Sequence, residues 1–451
     1  MSPKNEGRLR NVTAGLLGAA VAARVRDDQA PVTVHDLRRL TGGASRETWS
    51  FDVELANGIV VPLILGRDTS VQPLALTRIQ EAAVLQAAER AGVPVPHVLF
   101  VLEGGDEDRA VGPGYVMEQI EGETIPRKIL RDDFFADARH RLVSQCGAAL
   151  ARVHAVDVVE LGFLDRPDPV LQYVQVLSGI AEPHPAFELG LRWLAKNRPP
   201  DVDDGLVHGD FRLGNFIVGD DGLRAVIDWE LAHIGDPMED LGWLCVRSWR
   251  FGNDDLPVGG FGHRDDLFSA YEALGGRPVD PEHVRYWEVF GNLKWGIICL
   301  VQCMSHISGL RPSVELATLG RRACEMEYDL LGLIVGDGEA DGEAAMDPAS
   351  VPQDMPPAAD LVAAVREFLA EDVLEEVSGR NRFNTRVSVT ALGIVERELR
   401  ARHPDDDEAM TARAELAQAI RAGERDDDIE TLAVELLAES RAKLAVANPG
   451  Y

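Results

Sequence analysis

Short stretches that alternate apolar and polar residues occupy much of the first 120 positions. Longer stretches with apolar residues three or four apart fill most of the rest. Residues 32–34, 47–55 and 59–65 read as three strands, with Asn57-Gly58 as the tight turn between the last two. Residues 76–91 carry an amphipathic helical pattern that stops at Gly92, before the Val93-Pro94-Val95-Pro96 break. Residues 98–102 and 115–118 look like a further strand pair. The pattern predicts a small antiparallel sheet accompanied by one helix. From about residue 130 helices take over, at 132–156, 185–195, 265–274, 281–309 and 314–335. One segment, 206–229, breaks the helical run with short apolar strands near 216–218 and 225–227.

Composition divides the chain further. A cluster of Gly, Asp, Glu and Pro at 336–357 reads as a linker, and 358–451 as a separate domain of three or four amphipathic helices. All seven tryptophans precede that linker. The expected organisation is therefore a first lobe over 1–120, a second over 121–335, the linker, and a small all-α domain. Of 451 residues 75 are Asp or Glu and 45 are Lys or Arg, a net charge of −30. Residues 336–451 hold 26 of the acids and 12 of the bases, so they are more acidic per residue than the remainder. So negative a surface repels nucleic acid and anionic lipid, and neither is expected as a partner. The five cysteines are odd in number and sit in apolar segments, which argues against a disulfide framework. No run of 18 apolar residues predicts a membrane span. The weakly apolar run at 12–23 follows three basic residues, yet its helical spacing suggests the first helix of a cytoplasmic protein.

The densest chemistry lies in Val207-His208-Gly209-Asp210-Phe211-Arg212-Leu213-Gly214-Asn215-Phe216-Ile217-Val218, followed by Ala225-Val226-Ile227-Asp228-Trp229-Glu230. An Asp and an Asn five residues apart bracket a tight loop, and a second Asp follows a short hairpin. Phosphoryl transfer from a nucleotide needs such a kit. One carboxylate orients the acceptor hydroxyl, while an amide oxygen and a second carboxylate hold Mg²⁺ against the phosphates.

This string resembles the catalytic loop of the aminoglycoside phosphotransferase and choline kinase-like family, the small-molecule branch of the protein-kinase-like fold. The stretch Gly235-Asp236-Pro237-Met238-Glu239-Asp240-Leu241-Gly242-Trp243 is similar to the helix start that follows the metal-binding Asp in that family. The resemblance implies an α+β, two-lobed fold over about residues 12–335, ATP as donor and Mg²⁺ as cofactor. Asp210 would be the catalytic base, His208 a support for the loop, and Asn215 and Asp228 the magnesium ligands. Asp240 would brace the loop, and Asp236 would serve as a helix cap or a site residue. In the first lobe, Gly42, Gly43 and Ser45 occupy the place of the glycine-rich phosphate loop. Glu81 fits the helix glutamate that pairs the phosphate-binding cation, and Met117, Glu118 and Ile120 fall at the hinge that meets adenine. The third strand departs from the pattern. Relatives place Lys or Arg where Gly66 stands, so Arg67 is the expected cation, provided the strand bends or bulges there.

The middle of the chain resembles the subgroup whose kinase domain is joined to acyl-CoA dehydrogenases, and the tail resembles a helical domain of unknown function found after such kinases. Candidate acceptors are a hydroxyacyl-CoA, an amino alcohol or an aminoglycoside-like compound. Arg247 to Gly252 and Tyr286 to Trp295, rich in Trp and cations, offer an aromatic wall on which Arg250 or Lys294 could meet an anionic group. The tail is expected to serve self-association or a protein partner. Two rival classes remain: a nucleotide-binding pseudokinase or scaffold with little turnover, and a metal-dependent hydrolase using Asp210 and Asp228.

Overall fold

The computed structural model describes the chain apart from residues 1–11, 25–30, 41–45, 69–74, 104, 181, 201, 309, 311–315, 317–318, 337–361, 363–364, 367–368 and 402–405. It divides into two compact units, one of residues Met1–Pro167 and Val202–Asp280, the other of Asp168–Asp201 and Pro281–Tyr451.

In the first unit, β1 (Thr33–Arg39), β2 (Arg46–Glu54), β3 (Val60–Asp68), β4 (Val98–Leu102) and β5 (Gly114–Glu118) form one antiparallel sheet in the order β1-β2-β3-β5-β4. The turn at Asn57-Gly58 joins β2 to β3, and Gly58 supplies the left-handed backbone it requires (φ 81°). Leu63 and Leu65 of β3, with Phe51 and Val53 of β2, pack into a core with Leu17, Ala20 and Val21 of α1 (Ala14–Ala22) and with Val111 of α3 (Asp106–Val111). The opposite face of the sheet carries Thr48, Gly66 and Tyr115, which are aligned across β2, β3 and β5.

Helix α2 (Arg78–Arg90) begins with a capping box: the Thr77 hydroxyl accepts from Gln80 N, while Gln80 Oε1 accepts from Thr77 N. Its apolar side, Ala82, Val84, Leu85 and Ala88, is buried, and Glu81 is buried with it. After the sheet come α4 (Pro126–Arg131) and α5 (Ala136–His154), whose buried Leu142, Cys146, Leu150 and Val153 recur at helical spacing. Two short strand pairs follow: β6 (Gly205–Val207) with β9 (His233–Gly235), and β7 (Phe216–Gly219) with β8 (Gly222–Val226). Helices α8 (Met238–Cys245) and α9 (Arg264–Ala273) complete the unit.

The second unit is all-helical among its described residues. It contains α6 (Pro169–Ser178), α7 (Pro185–Lys196), α10 (Pro281–Ile307) and helices at Ala323–Val335, Gly379–Arg400, Asp406–Arg421 and Ile429–Ala447. Glu327 ties the last helices in. It is buried, and it meets Lys443 at 2.8 Å and His184 Nδ1 at 3.1 Å. Burial would raise the Glu327 pKa, but Lys443, His184 and Arg413 together pull it down to about 2. No helix among the described residues is long and apolar enough to cross a membrane. None of the five cysteines is joined in a disulfide. The architecture is the α+β protein-kinase-like one, with a sheet lobe, a mostly helical part and an all-helical C-terminal region.

Candidate active site

The loop between β6 and β7 is suspended from one carboxylate. Asp240, fully buried in the first turn of α8, accepts from His208 N at 2.8 Å, from Gly209 N at 2.9 Å and from His154 Nε2 at 3.2 Å. Burial alone would raise the Asp240 pKa; the His154 hydrogen bond and the two imidazoles hold it below the usual carboxylate range. Gly209 has φ 79°, and a Cβ there would lie 2.5 Å from the Leu231 carbonyl oxygen, so only glycine lets the loop pass. The His208 ring is fully buried, 4.4 Å from Trp229 between ring centroids, and burial pushes its pKa down. Its Nδ1 accepts from Asp210 N at 3.1 Å, so His208 shapes the loop from beneath. Asp236 accepts from Met238 N at 2.9 Å and caps the start of α8.

Three donors orient the Asp210 side chain, which remains partly exposed. Oδ1 accepts from Arg212 Nε at 2.8 Å and Trp243 Nε1 at 2.9 Å, and Oδ2 accepts from Asn215 Nδ2 at 2.6 Å. Arg212 in turn lies 4.3 Å over the Trp249 ring, which packs against Trp243. Asn215 Nδ2 also donates to the Asp210 carbonyl at 3.0 Å, so its Oδ1 is the end left to meet a cation. The Asn215 carbonyl accepts from Ile227 N at 2.9 Å, which ties the loop to the residue before Asp228. Asp228 adopts the left-handed conformation (φ 67°), uncommon for a residue with a side chain and often found at functional positions. Burial, followed by the carboxylates of Glu230, Glu81 and Asp210, pushes its pKa up to about 7, with Arg78 opposing them.

Crowded carboxylates of this kind favour a bound cation, and the oxygens of Asn215 and Asp228 are the hard donors that Mg²⁺ prefers. Among the described residues no cluster of three or more His, Cys, Asp and Glu is placed to hold a metal. Asn215 and Asp228 would supply two oxygen ligands, and an octahedral Mg²⁺ would take the rest from phosphate and water.

Glu81 is almost wholly buried. Its Oε2 accepts from Arg78 Nη1 at 2.7 Å and Arg46 Nη1 at 3.1 Å, and its Oε1 accepts from Trp229 N at 3.3 Å. Arg46 also lies 3.3 Å from Glu230, whose carbonyl accepts from Leu76 N. Helix α2 is thereby joined to the segment that carries Asp228.

Arg67 corrects the expectation. The β2–β3 and β3–β5 registers run through Gly66 and Arg67 without a shift, so no bulge turns Arg67 toward the site. It is buried with Leu63 and Leu65 on the other face, where it donates to Glu47 at 2.7 Å and to the Val111 carbonyl at 2.6 Å. Gly42, Gly43 and Ser45 lie outside the described residues. Met117 pairs with Ile64 of β3, on the strand face that bears Gly66. The Glu118 carboxylate accepts from His97 N, and its backbone N–H donates to the His97 carbonyl. Ile120 is half-buried, and just beyond it Glu123 exchanges two backbone bonds with Val218 of β7. A cavity of about 460 Å³ borders this segment, lined by Arg38, Ser50, Asp52 and Gln119 among others.

Sequence reasoning did not assign roles to Arg46, Arg78, Arg212, Tyr115, Trp243 or Glu230. Arg78 precedes Glu81 by three positions in a helix, a spacing that already signals an ion pair. For Trp243 and Arg212 no spacing rule would have served, since the bend of the loop turns Arg212 back to Asp210 and the packing of α8 brings Trp243 to it. The two Trp-rich segments fall in different units. In the first, Arg247 pairs with Asp254 at 2.7 Å and Arg250 donates to the Cys245 carbonyl at 2.8 Å. In the second, Tyr286, Trp287 and Lys294 of α10 are buried.

A glutamate–arginine link to an acidic segment, a loop carboxylate held by an Asn five residues on, and a five-stranded sheet above them define a kinase-like phosphotransferase. The family model for the phosphotransferase enzyme family matches residues 36–276. The chain belongs to that family and is a small-molecule kinase by class. A domain of unknown function matches residues 375–451. Acyl-CoA dehydrogenase family member 10 of Mus musculus is 32% identical over 180 residues, 38% of this chain and 17% of that protein. An Arabidopsis thaliana protein described as a probable acyl-CoA dehydrogenase, IBR3, is 26% identical over 294 residues, 56% of this chain and 34% of that protein. The chain thus spans at most about a third of these two relatives. A Ralstonia eutropha structure assigned as an aminoglycoside phosphotransferase shares the fold, with TM-score 0.54 and 21% identity over 70% of this chain and 96% of that one.

Proposed function

We propose that the protein transfers the terminal phosphoryl group of ATP to a hydroxyl group of a small molecule, with Mg²⁺ as cofactor. The observation that carries this reading is the partly exposed Asp210 carboxylate, fixed by Asn215, Arg212 and Trp243 in the loop between β6 and β7. Asp210 takes the proton of the acceptor hydroxyl as that oxygen bonds to phosphorus, and the bond from phosphorus to ADP breaks. Asn215 and Asp228 would hold the metal, which would offset charge on the phosphates. Glu81, through Arg46 and the Trp229 amide, keeps helix α2 and the Asp228 segment in one arrangement. Met117, Glu118 and Ile120, with the cavity beside Gln119, offer a place for the adenine base, and Gly42, Gly43 and Ser45 are assigned to the phosphate loop.

The names of the relatives favour a hydroxylated acyl-CoA thioester as acceptor, with amino alcohols and aminoglycosides as competitors. Release of ADP across a panel of these compounds, run beside Asp210→Ala, tests the reading. A compound that drives ADP release with the wild type and not with Asp210→Ala supports it. Equal release by the two proteins removes Asp210 from its role.

A second reading, a nucleotide-binding scaffold with little turnover, is favoured by one observation, the burial of Arg67 away from the site. It predicts ATP binding without ADP release for any acceptor. The C-terminal helices are proposed as an assembly or partner-binding module. A single monomeric species in size-exclusion chromatography at high concentration, with no co-purifying protein, argues against that role.

A further inference from the structure

Gly66 stands where a strand cation is expected, and the space above it is filled from helix α2. A Cβ built on Gly66 would meet Arg78 Nε at 3.4 Å, Arg78 Cδ at 3.5 Å and the Tyr115 ring at 3.4 Å. The guanidinium of Arg78 therefore lies over the middle of the row Thr48, Gly66 and Tyr115, on the face of the sheet opposite α1 and α3. It keeps the ion pair with Glu81 that the strand cation of such a site would make, at 2.7 Å. We propose that Arg78 is the phosphate-binding cation of this protein, supplied by the helix in place of the strand. The assignment rests on the phosphotransfer reading above.

Three features single out Arg78 among the cations near Glu81. Arg67 is on the wrong face and is saturated by Glu47 and the Val111 carbonyl. Arg46 also has a buried Nε without a hydrogen bond, but that atom lies 3.3 Å from Glu230 and 3.7 Å from Asp68, and the rest of its guanidinium is taken by Glu81 and the Leu76 carbonyl. Arg78 is more than nine-tenths buried, yet its Nε is shielded from water without a hydrogen-bond partner, and its Nη2 makes only a 3.4 Å contact to the Thr48 hydroxyl. A guanidinium N–H buried in this way is costly to leave unmade, and a phosphate oxygen is the acceptor its planar fork fits best. Helical geometry accounts for the arrangement. Residues i and i+3 share a helix face, so Arg78 and Glu81 point together, and a glycine on the strand leaves the volume of a side chain for the arginine to enter. A lysine at position 66 and an arginine at 78 would compete for that volume.

The test titrates Mg·ATP and, separately, adenosine into the full-length protein by calorimetry. Arg78→Met keeps much of the side-chain volume and removes the charge. The expected result is a loss of about 10- to 100-fold in ATP affinity, with adenosine affinity unchanged. Gly66→Lys combined with Arg78→Ala, which vacates that volume, returns the cation to the strand and should recover most of the loss. Arg67→Met, which touches a different face, should bind ATP like the wild type. Should Arg78→Met not fold, Arg78→Lys keeps the charge and the Glu81 pair, and the double variant still reports. Wild-type ATP affinity in Arg78→Met, or equal weakening of ATP and adenosine, overturns the assignment and leaves Arg78 a structural partner of Glu81. A folded wild type that binds no ATP overturns the phosphotransfer reading itself, a failure visible before any variant is made.

Discussion

Replacing Asp240 by Asn tests whether the catalytic loop hangs from that carboxylate. The change alters shape little but exchanges one acceptor oxygen for an NH2 donor. In the structure Oδ1 accepts from Gly209 N, and Oδ2 accepts from both His208 N and His154 Nε2. Whichever way the amide is turned, one of these oxygens becomes a donor facing a donor. The less costly orientation places NH2 against Gly209 N and orphans one backbone N–H in a site with no exposure to water. One buried unsatisfied donor costs about 1–3 kcal/mol, and loss of the charge weakens the two remaining bonds. A destabilisation of about 2–4 kcal/mol in urea-induced unfolding is expected, with a larger loss in turnover because Gly209 adjoins Asp210. The pH dependence has a definite sign. The folded-state pKa of Asp240 lies below its unfolded value of about 3.9, so the stabilisation is complete above that value and is lost as pH falls through the folded pKa. The wild-type advantage over Asp240→Asn should therefore hold from neutral pH down to about 4 and shrink below it. A variant within 0.5 kcal/mol of wild type, on the order of ordinary surface substitutions, would refute the reasoning.

Trp243→Phe retains the ring but removes the Nε1 donor to Asp210, so kcat should fall about 10-fold with little change in KM for ATP. A kcat equal to wild type would mean that Arg212 and Asn215 suffice to orient the base. In the all-helical unit, Glu327 titrates at about 2 against an ordinary value near 4.3, and its burial lets the difference be read as about 3 kcal/mol of stability. That contribution is present above about pH 4.3 and disappears as pH falls toward 2. Glu327→Gln should thus be less stable than wild type at pH 6, with the gap narrowing by pH 3; a constant gap in urea unfolding counts against the ion cluster. Chelation of Mg²⁺ by EDTA should weaken ATP binding at least 10-fold, since the carboxylates of Asp228 and Asp210 would otherwise repel the phosphates without a cation between them. Equal affinities with and without Mg²⁺ would remove the metal from the reading.

Much of the first unit was legible because its signals are local. Strand alternation, Asn57-Gly58 and the Gly92 stop describe the sheet and α2, and the Asp210, Asn215 and Asp228 spacing marks the loop and the hairpin after it. Less legible were α6, α3 and the β6–β9 pair, which are short or depend on partners far along the chain. The brace on Asp210 was invisible for the same reason. Trp243 lies 33 positions away, and no local pattern says that its indole turns toward the loop.

Sequence alone determined the acidic character, the identity of the loop residues and the absence of a cation at position 66. Tertiary structure decided which cation lies over that position. A strand side chain points to one face or the other according to register, and an unshifted β3 sends Arg67 into the α1 and α3 core. The volume that Gly66 leaves open is defined by three strands and a helix together. Only their packing brings Arg78 into it, beside a glutamate that the sequence had already marked.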